Sequence, residues 1–202
     1  DAGAPPAVVI MVSKHDHCLN DLLYRYRTGS LCMTIPAIVS NHEDLRGLAE
    51  WHGIPFHCVP VKASEKAAAE ARLKEILADT NADLLVLARY MQILSDDLCR
   101  SLRGMAINIH HSFLPGFKGA RPYHKAHERG VKLIGATAHY VTLELDEGPI
   151  IEQMVERVDH THDANDLAAV GRDAEAITLA RAVRYHIEHR VFLNGARTIV
   201  FR

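Results

Sequence analysis

The sequence lacks the patterns that mark disulfide-rich, membrane-spanning and nucleic-acid-binding proteins. Its 4 cysteines lie far apart without any C-x-x-C pair, which is typical of reduced thiols rather than of a disulfide framework or a zinc site. No apolar run approaches the roughly 18 residues that a membrane-spanning helix needs. The formal net charge is −2, so no basic excess predicts binding to nucleic acid or to an anionic membrane surface. These absences predict a cytoplasmic protein that binds neither.

The N-terminus carries no targeting pattern. Residues 1–6 lack the basic and then apolar order of a secretory signal, and we expect them to be disordered or foreign to the natural chain. The first residue is Asp1 rather than methionine, which predicts that the chain is part of a longer one. Residues 7–202 are enough to bury one core, and no linker or repeat divides them. We therefore predict a single domain over residues 7–202.

Histidine is unusually frequent, with 14 residues, several of them in close pairs. The pairs are His15 and His17, His110 and His111, His124 and His127, His160 and His162, and His186 and His189. None of them forms H-E-x-x-H, and no cysteine lies at zinc-finger spacing from them. We predict no metal site, while a metal-dependent hydrolase built on these pairs remains an alternative.

Short apolar runs alternate with amphipathic segments along the chain. Strands are predicted over 7–12, 34–39, 56–60, 83–88, 105–110, 133–141, 149–158 and 197–201. Helices are predicted over 18–27, 43–52, 64–79 with Ser64 as N-cap, 95–103, 121–129 and 165–190. This alternation predicts right-handed βαβ units and a Rossmann-like α/β fold with a mostly parallel central sheet. Ligands of such sheets bind beyond the carboxyl ends of the strands, which is where chemistry should be sought.

A polar pair ends one of the predicted buried strands. Side chains alternate along a strand, so Asn108 and His110 share one side while Ile107 and Ile109 pack on the other. The following loop, residues 111–119, contains Pro115, Gly116 and Gly119. An amide and an imidazole side by side suit catalysis, although local hydrogen bonding explains either residue alone equally well.

A second polar stretch spans residues 135–151 (GATAHYVTLELDEGPII). Its strand presents Thr137 and His139 on one face and runs into an acidic loop that contains Asp146. Acidic loops are most often simply solvated, so Asp146 alone is a weak candidate for a catalytic carboxylate.

Together the two stretches resemble the formyltransferase-fold family of enzymes that use 10-formyltetrahydrofolate. The motifs N-I-H, S-F-L-P, F-K-G, A-H-Y-V and L-D-E-G-P-I-I stand in the family's order and spacing. The resemblance is closer to the deformylases of this family than to its glycinamide ribonucleotide formyltransferases. It extends from about residue 8 to residue 201 and includes S-K-H-D-H-C-L-N-D-L-L-Y-R, L-A-R-Y-M-Q-I-L and V-G-R-D.

The resemblance implies a three-layer α/β formyltransferase fold and a set of site residues. Asn108, His110 and Asp146 take the catalytic positions. The residues implied in binding the folate are Arg89, Tyr90, Met91, Gln92, Ile93, Leu94, Thr137, His139, Thr142, Leu143 and Glu144. The folate is the substrate, and no cofactor is implied. A homo-oligomer is expected, as is a role in supplying formate for purine synthesis and in balancing the one-carbon pool. Deformylases of this family usually carry a small N-terminal ACT regulatory domain, and we expect that domain to be absent from residues 1–202.

These residue types suit hydrolysis of a formamide. Asn108 can donate to the formyl oxygen as an oxyanion-hole side chain does, a contact typically worth about 3–4 kcal/mol. A charged His110 would be a second donor and could later protonate N10. Asp146 would favour the imidazolium of His110 and could accept a proton from the attacking water. The sequence leaves open which of these two tasks Asp146 mainly performs.

The choice between hydrolysis and transfer depends on the turn at residues 13–17. A transferase that holds an acceptor's phosphate there would use a glycine-rich turn, whereas S-K-H-D-H has no glycine and adds a carboxylate. Asp16 can alternatively be a simple helix cap. We therefore predict water as the acceptor, with transfer to an amine acceptor and a non-catalytic folate-binding module as alternatives.

Overall fold

The computed structural model describes residues 3–114 and 122–202, which form a central sheet with helices on both faces. The strands are β1 (Val8–Val12), β2 (Ile38–Ser40), β3 (Phe56–Cys58), β4 (Leu84–Leu87), β5 (Ala106–His110), β6 (Leu133–Tyr140), β7 (Ile150–Arg157), β8 (Val191–Asn194) and β9 (Arg197–Val200). The helices are α1 (His17–Arg27), α2 (Arg46–Trp51), α3 (Lys66–Asp79), α4 (Asp96–Ser101), α5 (Pro122–Glu128) and α6 (Ala164–Ile187).

The central sheet has seven strands in the order β3-β2-β1-β4-β5-β6-β7. The first five are parallel, and β6 and β7 run antiparallel to their neighbours. The predicted α/β fold with a mostly parallel sheet is confirmed.

Alternation along the buried strands divides the core into two layers. In β1, Val8 and Ile10 pack with residues of α1 and α6, whereas Val9 and Met11 pack with residues of α3 and α4. The apolar run of β4 is buried on both faces in the same way, as predicted for a central strand. The sheet is thus the middle of three layers.

Two local predictions were wrong, and each has a physical reason. Only the end of the strand predicted over 34–39 belongs to the sheet, where it forms β2. The earlier residues do not, because Pro36 has no N–H to donate and Thr34 makes only an isolated bridge to Ala7. Ser64 does not cap α3 but lies inside a 3₁₀ turn, Ala63–Glu65, that precedes it.

The C-terminal hairpin was only half predicted. The strand at residues 197–201 is present as β9, but β8 was missed, and the two form a separate two-stranded sheet. Its two-residue turn contains Gly195 at φ +63°, a conformation that suits a tight hairpin. The Asn194-Gly195 pair was the sequence signal that could have found it.

The N-terminal residues also contact the rest of the domain. The Pro6 carbonyl accepts a 2.8 Å hydrogen bond from the backbone N–H of Thr34, so contact with the domain begins before residue 7.

The loop predicted at residues 115–119 and the start of the helix predicted at residue 121 lie outside the described residues. Within those described, no helix combines the length and apolar character that crossing a membrane requires.

Candidate active site

Strand register brings the predicted catalytic side chains together. Leu87 at the end of β4 pairs with Asn108 on β5, and Asn108 pairs with His139 on β6. Ile107 and Ile109 pack into the core as predicted. The loop that follows β4 therefore starts beside the Asn108 amide, and His110 lies at the end of the same row.

Asp146 joins this row from the loop between β6 and β7. Its Oδ2 lies 3.2 Å from Nδ1 of His110, and its Oδ1 lies 3.8 Å from Nε2 of His139. The residue has φ +58°, in the left-handed region that aspartate tolerates better than most residues do. The predicted triad is thus assembled, with His139 as a fourth member.

The Asp146 carboxyl is ionised in this setting. Burial alone would raise its pKa, but the hydrogen bond from His110 and the nearby His139 ring outweigh burial and hold the pKa well below its usual range. Because a carboxylate only accepts hydrogen bonds, the Nδ1 atom of His110 donates to it. The Nε2 atom of His110 is then the nitrogen left for chemistry, and it is buried without a hydrogen-bond partner among the described residues.

His139 orients the Asn108 amide. Nδ1 of His139 lies 2.9 Å from the Tyr140 carbonyl oxygen, which only accepts, so Nδ1 carries a proton. In the tautomer with its single proton on Nδ1, Nε2 of His139 accepts from the Asn108 amide nitrogen at 3.3 Å. A Cβ at Gly148 would lie 1.7 Å from that Tyr140 carbonyl oxygen, so only glycine permits the Asp146 loop to pack here.

These side chains open into a cavity of about 670 Å³. The predicted site residues that line it are Arg89, Tyr90, Met91, Gln92, Ile93, Leu94, Asn108, His110, His139, Thr142, Leu143, Glu144 and Asp146. Thr137 is the exception among the predicted residues. It is fully buried, and its hydroxyl accepts from the Leu114 N–H and donates to the Ser112 carbonyl. Thr137 thus holds the loop after His110 and does not face the cavity.

The loop at residues 89–94 is anchored by buried polar groups. The Met91 backbone N–H donates to the Ser13 hydroxyl at 3.0 Å, and that hydroxyl donates to the Asn41 side chain at 2.6 Å. Ser13 belongs to the S-K-H-D-H turn at residues 13–17, where Asp16 occupies the N-cap position of α1 without a side-chain capping bond. The turn therefore supports the cavity wall and is more than a helix cap.

Sequence reasoning missed Glu175 on α6, which is 1% exposed and lines the same cavity. Its Oε2 lies 2.7 Å from Nε2 of His17 and 3.3 Å from Nε of Arg89. Its Oε1 accepts a 2.7 Å hydrogen bond from the Tyr123 hydroxyl. Glu175 therefore ties α6 to α5, to the start of α1 and to the loop after β4.

Burial would raise the pKa of Glu175, but His17, Arg89 and Tyr123 together lower it. Burial, and to a smaller extent Glu175, raises the pKa of Tyr123, which stays protonated as the donor. Gly171 makes this arrangement possible, because a Cβ there would lie 2.0 Å from the Tyr123 hydroxyl. The V-G-R-D motif at residues 170–173 was the signal that pointed to this part of α6.

His17, Cys18 and Glu175 place ligand atoms close enough for a metal ion. Three observations disfavour one. Both Glu175 oxygens already have partners, Arg89 adds a positive charge, and burial raises the pKa of the Cys18 thiol well above its usual range. The expectation of no metal site stays a prediction.

The chain is similar to formyl transferases in sequence and in fold. A family model described as formyl transferase matches residues 7–183. A formyltetrahydrofolate deformylase from Corynebacterium sp. (strain P-1) is 57% identical over 202 residues, which cover 100% of this chain and 71% of that protein. The crystal structure of a formyltetrahydrofolate deformylase from Burkholderia mallei is 61% identical with a TM-score of 0.97, and the match covers 100% of this chain and 72% of that one. Glycinamide ribonucleotide transformylase 1 from Symbiobacterium toebii is 28% identical with a TM-score of 0.90, over 99% and 96% of the two chains.

Proposed function

This chain belongs to the formyl transferase family, and we propose that it hydrolyses 10-formyltetrahydrofolate to formate and tetrahydrofolate. The observation that carries the proposal is the position of His110. Its Nδ1 is held by the ionised Asp146, and its Nε2 is the buried nitrogen without a partner in the described chain. A histidine held in this way can take a proton from water and return it to a leaving nitrogen.

The reaction follows from the three side chains. Water attacks the formyl carbon while its proton passes to Nε2 of His110, and the formyl oxygen takes the negative charge. Asn108 lines the cavity with its amide oriented by His139, so its second amide hydrogen is available to that oxygen. The C–N10 bond then breaks, N10 takes the proton from His110, and the formic acid released ionises to formate.

Asp146 acts mainly by supporting the charged form of His110. The hydrogen bond from His110 and the nearby His139 ring lower its pKa, so its carboxylate is a weak proton acceptor. This departs from the expectation that Asp146 also takes a proton from water. Asp146→Asn should lower kcat sharply, and near-normal turnover from about pH 6 to pH 9 would contradict a role for Asp146 in activating His110.

The folate lies against the loops at residues 89–94 and 141–145. Their lining side chains include Tyr90, Ile93, Leu94, Val141 and Leu143, which offer an apolar surface to a flat ring system. The Ser13 hydroxyl fixes the Met91 backbone, which keeps the main chain of the first loop in one conformation. Thr137 acts indirectly in this proposal, through the loop after His110.

Transfer of the formyl group to an amine is the second candidate, because the similar transformylase shares the fold over almost its whole length. The turn at residues 13–17 argues against it. Ser13 contacts Asn41 and Met91, and His17 contacts Glu175. These two side chains therefore support the cavity wall rather than an acceptor's phosphate.

One assay separates the two candidates. Formate and tetrahydrofolate are measured from 10-formyltetrahydrofolate with wild-type protein and with His110→Ala, in the absence and presence of glycinamide ribonucleotide. Hydrolysis predicts formate release without any amine and its loss in the variant. Strict dependence on glycinamide ribonucleotide would support transfer, and folate binding without either product would support a non-catalytic module.

The homo-oligomer, the cytoplasmic location and the role in the one-carbon pool expected from the resemblance stay predictions. Sedimentation of the purified chain tests the first of these.

A further inference from the structure

The cavity continues past His110 into a region whose lining is basic. We call this region the basic half, and it is lined by His15, His17, Arg89, His111 and Arg172 together with Glu175. The apolar half is the part lined by the loops at residues 90–94 and 141–145. The catalytic row of Asn108 and His110 belongs to the same cavity.

Glu175 is the one carboxylate among the described residues that line the basic half, and it is already engaged. One of its oxygens accepts a hydrogen bond from the Tyr123 hydroxyl, and the other lies against His17 and Arg89. The carboxylate therefore offsets one of the two arginine charges. Arg172 is exposed and forms no ion pair within residues 3–114 and 122–202. Counted over these described residues, the basic half therefore keeps a formal charge of about +1 even with its histidines neutral.

Unpartnered polar atoms also gather here. Among the described residues, four buried side-chain atoms lack a hydrogen-bond partner: Arg89 Nε, His110 Nε2, His111 Nε2 and Thr178 Oγ1. The first three belong to residues that line this cavity, and Arg89 Nε has only its ion pair with Glu175 at 3.3 Å. Buried polar atoms are nearly always satisfied in folded proteins, so the two histidine nitrogens indicate the binding place of a polar ligand.

The His111 ring can donate or accept a hydrogen bond without carrying a charge. It stacks on His110 with ring centroids 4.7 Å apart, and burial, Arg89 and His110 lower its pKa to about 4. A small anion in contact with Arg172 and Arg89 would therefore meet a neutral imidazole rather than a third fixed charge.

We propose that the basic half is a binding site for a small carboxylate, and that it receives the formate released at His110. The inference rests on the proposed hydrolysis. The tetrahydrofolate ring fills the apolar half when the C–N10 bond breaks, so formate has to leave on the other side. The Asp146 carboxylate repels it, whereas Arg172 and Arg89 attract it.

Product inhibition by formate tests the site. The inhibition constant of sodium formate is measured at one fixed total ionic strength for wild type, Arg172→Ala and Arg172→Glu. We expect the constant to rise roughly three- to tenfold in Arg172→Ala, as for loss of one charged contact, and further in Arg172→Glu. Arg172 is exposed, so both variants should fold.

Arg181 provides the matched control, because it is an exposed arginine on the same helix that does not line the cavity. Arg181→Ala should leave the formate constant unchanged. Equal constants in wild type and Arg172→Glu would overturn the proposal, as would chloride inhibiting as strongly as formate.

A second measurement separates this inference from the proposed function. Broadening of the ¹³C formate signal by the protein reports binding without turnover. Wild-type protein that releases formate from 10-formyltetrahydrofolate but shows no Arg172-dependent formate binding would overturn the carboxylate site alone. Protein that binds formate through Arg172 but releases none would overturn the hydrolysis and leave the carboxylate site.

Discussion

The two halves of the cavity are built by different means. The apolar half is lined by two continuous segments, residues 90–94 and 141–145, whose side chains are largely hydrophobic. The basic half is assembled from single side chains on separate elements: His17 from α1, Arg89 from the loop after β4, and Arg172 and Glu175 from α6. One half is a surface of fixed shape, whereas the other is a network of charges and hydrogen bonds.

This difference predicts different responses to substitution. Loss of one side chain in a hydrophobic wall removes contact area, whereas loss of one member of a buried charge network leaves its partners unsatisfied. Substitutions in the buried network around Glu175 should therefore act on stability, and substitutions at Asn108 and His110 should act on turnover.

The largest effect is expected for His110→Ala. His110 is the proposed proton carrier, so kcat should fall by about a thousandfold, within the range known for general acid–base groups. KM should change little, because the apolar half remains intact. Formate release measures both constants, and His160→Ala, at an exposed histidine away from the cavity, is the control. A raised KM with unchanged kcat would place His110 in binding instead.

Glu175→Ala should be the most destabilising change. It leaves Arg89 without its buried counter-charge, and breaking such a pair typically costs about 3–5 kcal/mol. Glu175→Gln keeps the shape and should cost less. Denaturant unfolding measures both, and a loss of kcat without any loss of stability would assign Glu175 to catalysis.

The cost of Glu175→Gln should depend on pH. The pKa of Glu175 is lowered in the folded protein, so its ionised form adds stability above the unfolded value of about 4.3. That contribution is lost as the pH falls through the lowered folded pKa. The difference in unfolding free energy between wild type and Glu175→Gln should therefore shrink below about pH 4, and a constant difference would contradict this ionisation.

Gly148→Ala tests the support of the catalytic row. The added Cβ would meet the Tyr140 carbonyl oxygen and shift the loop that carries Asp146. A displacement of about 1 Å can cost roughly a hundredfold in rate, so kcat should fall by up to that factor. Gly47→Ala is the control, because a Cβ there meets nothing within 4 Å. Equal kcat in the two variants would show that the loop absorbs the change.

Tyr123→Phe should have the smallest effect. It removes the hydroxyl that donates to Glu175 at 2.7 Å, and a hydrogen bond to a charged group contributes about 1.5–3 kcal/mol. We expect the free energy of unfolding to fall by an amount near the lower end of this range, because His17 and Arg89 still contact the carboxylate. Thermal unfolding compares it with Tyr24→Phe, a change at an exposed tyrosine. Equal stability of the two variants would remove Tyr123 from the network.

The α/β class and the strand that carries Asn108 and His110 could be predicted from local patterns, because strand alternation depends only on neighbouring residues. The segments that form the apolar half were implied by the family resemblance, which short motifs such as L-A-R-Y-M-Q-I-L carry. The missed strand β8 also had a local signal, the Asn194-Gly195 pair at its end.

The basic half and the contacts of His139 could not be predicted from the sequence, because they depend on how distant segments pack together. Glu175 is 158 residues from His17 and 52 from Tyr123 along the chain. No local pattern relates side chains at such separations, because they meet only where α1, α5 and α6 pack on the sheet. Thr137 and His139 look equivalent by alternation, yet packing turned one toward the loop after His110 and the other toward Asn108.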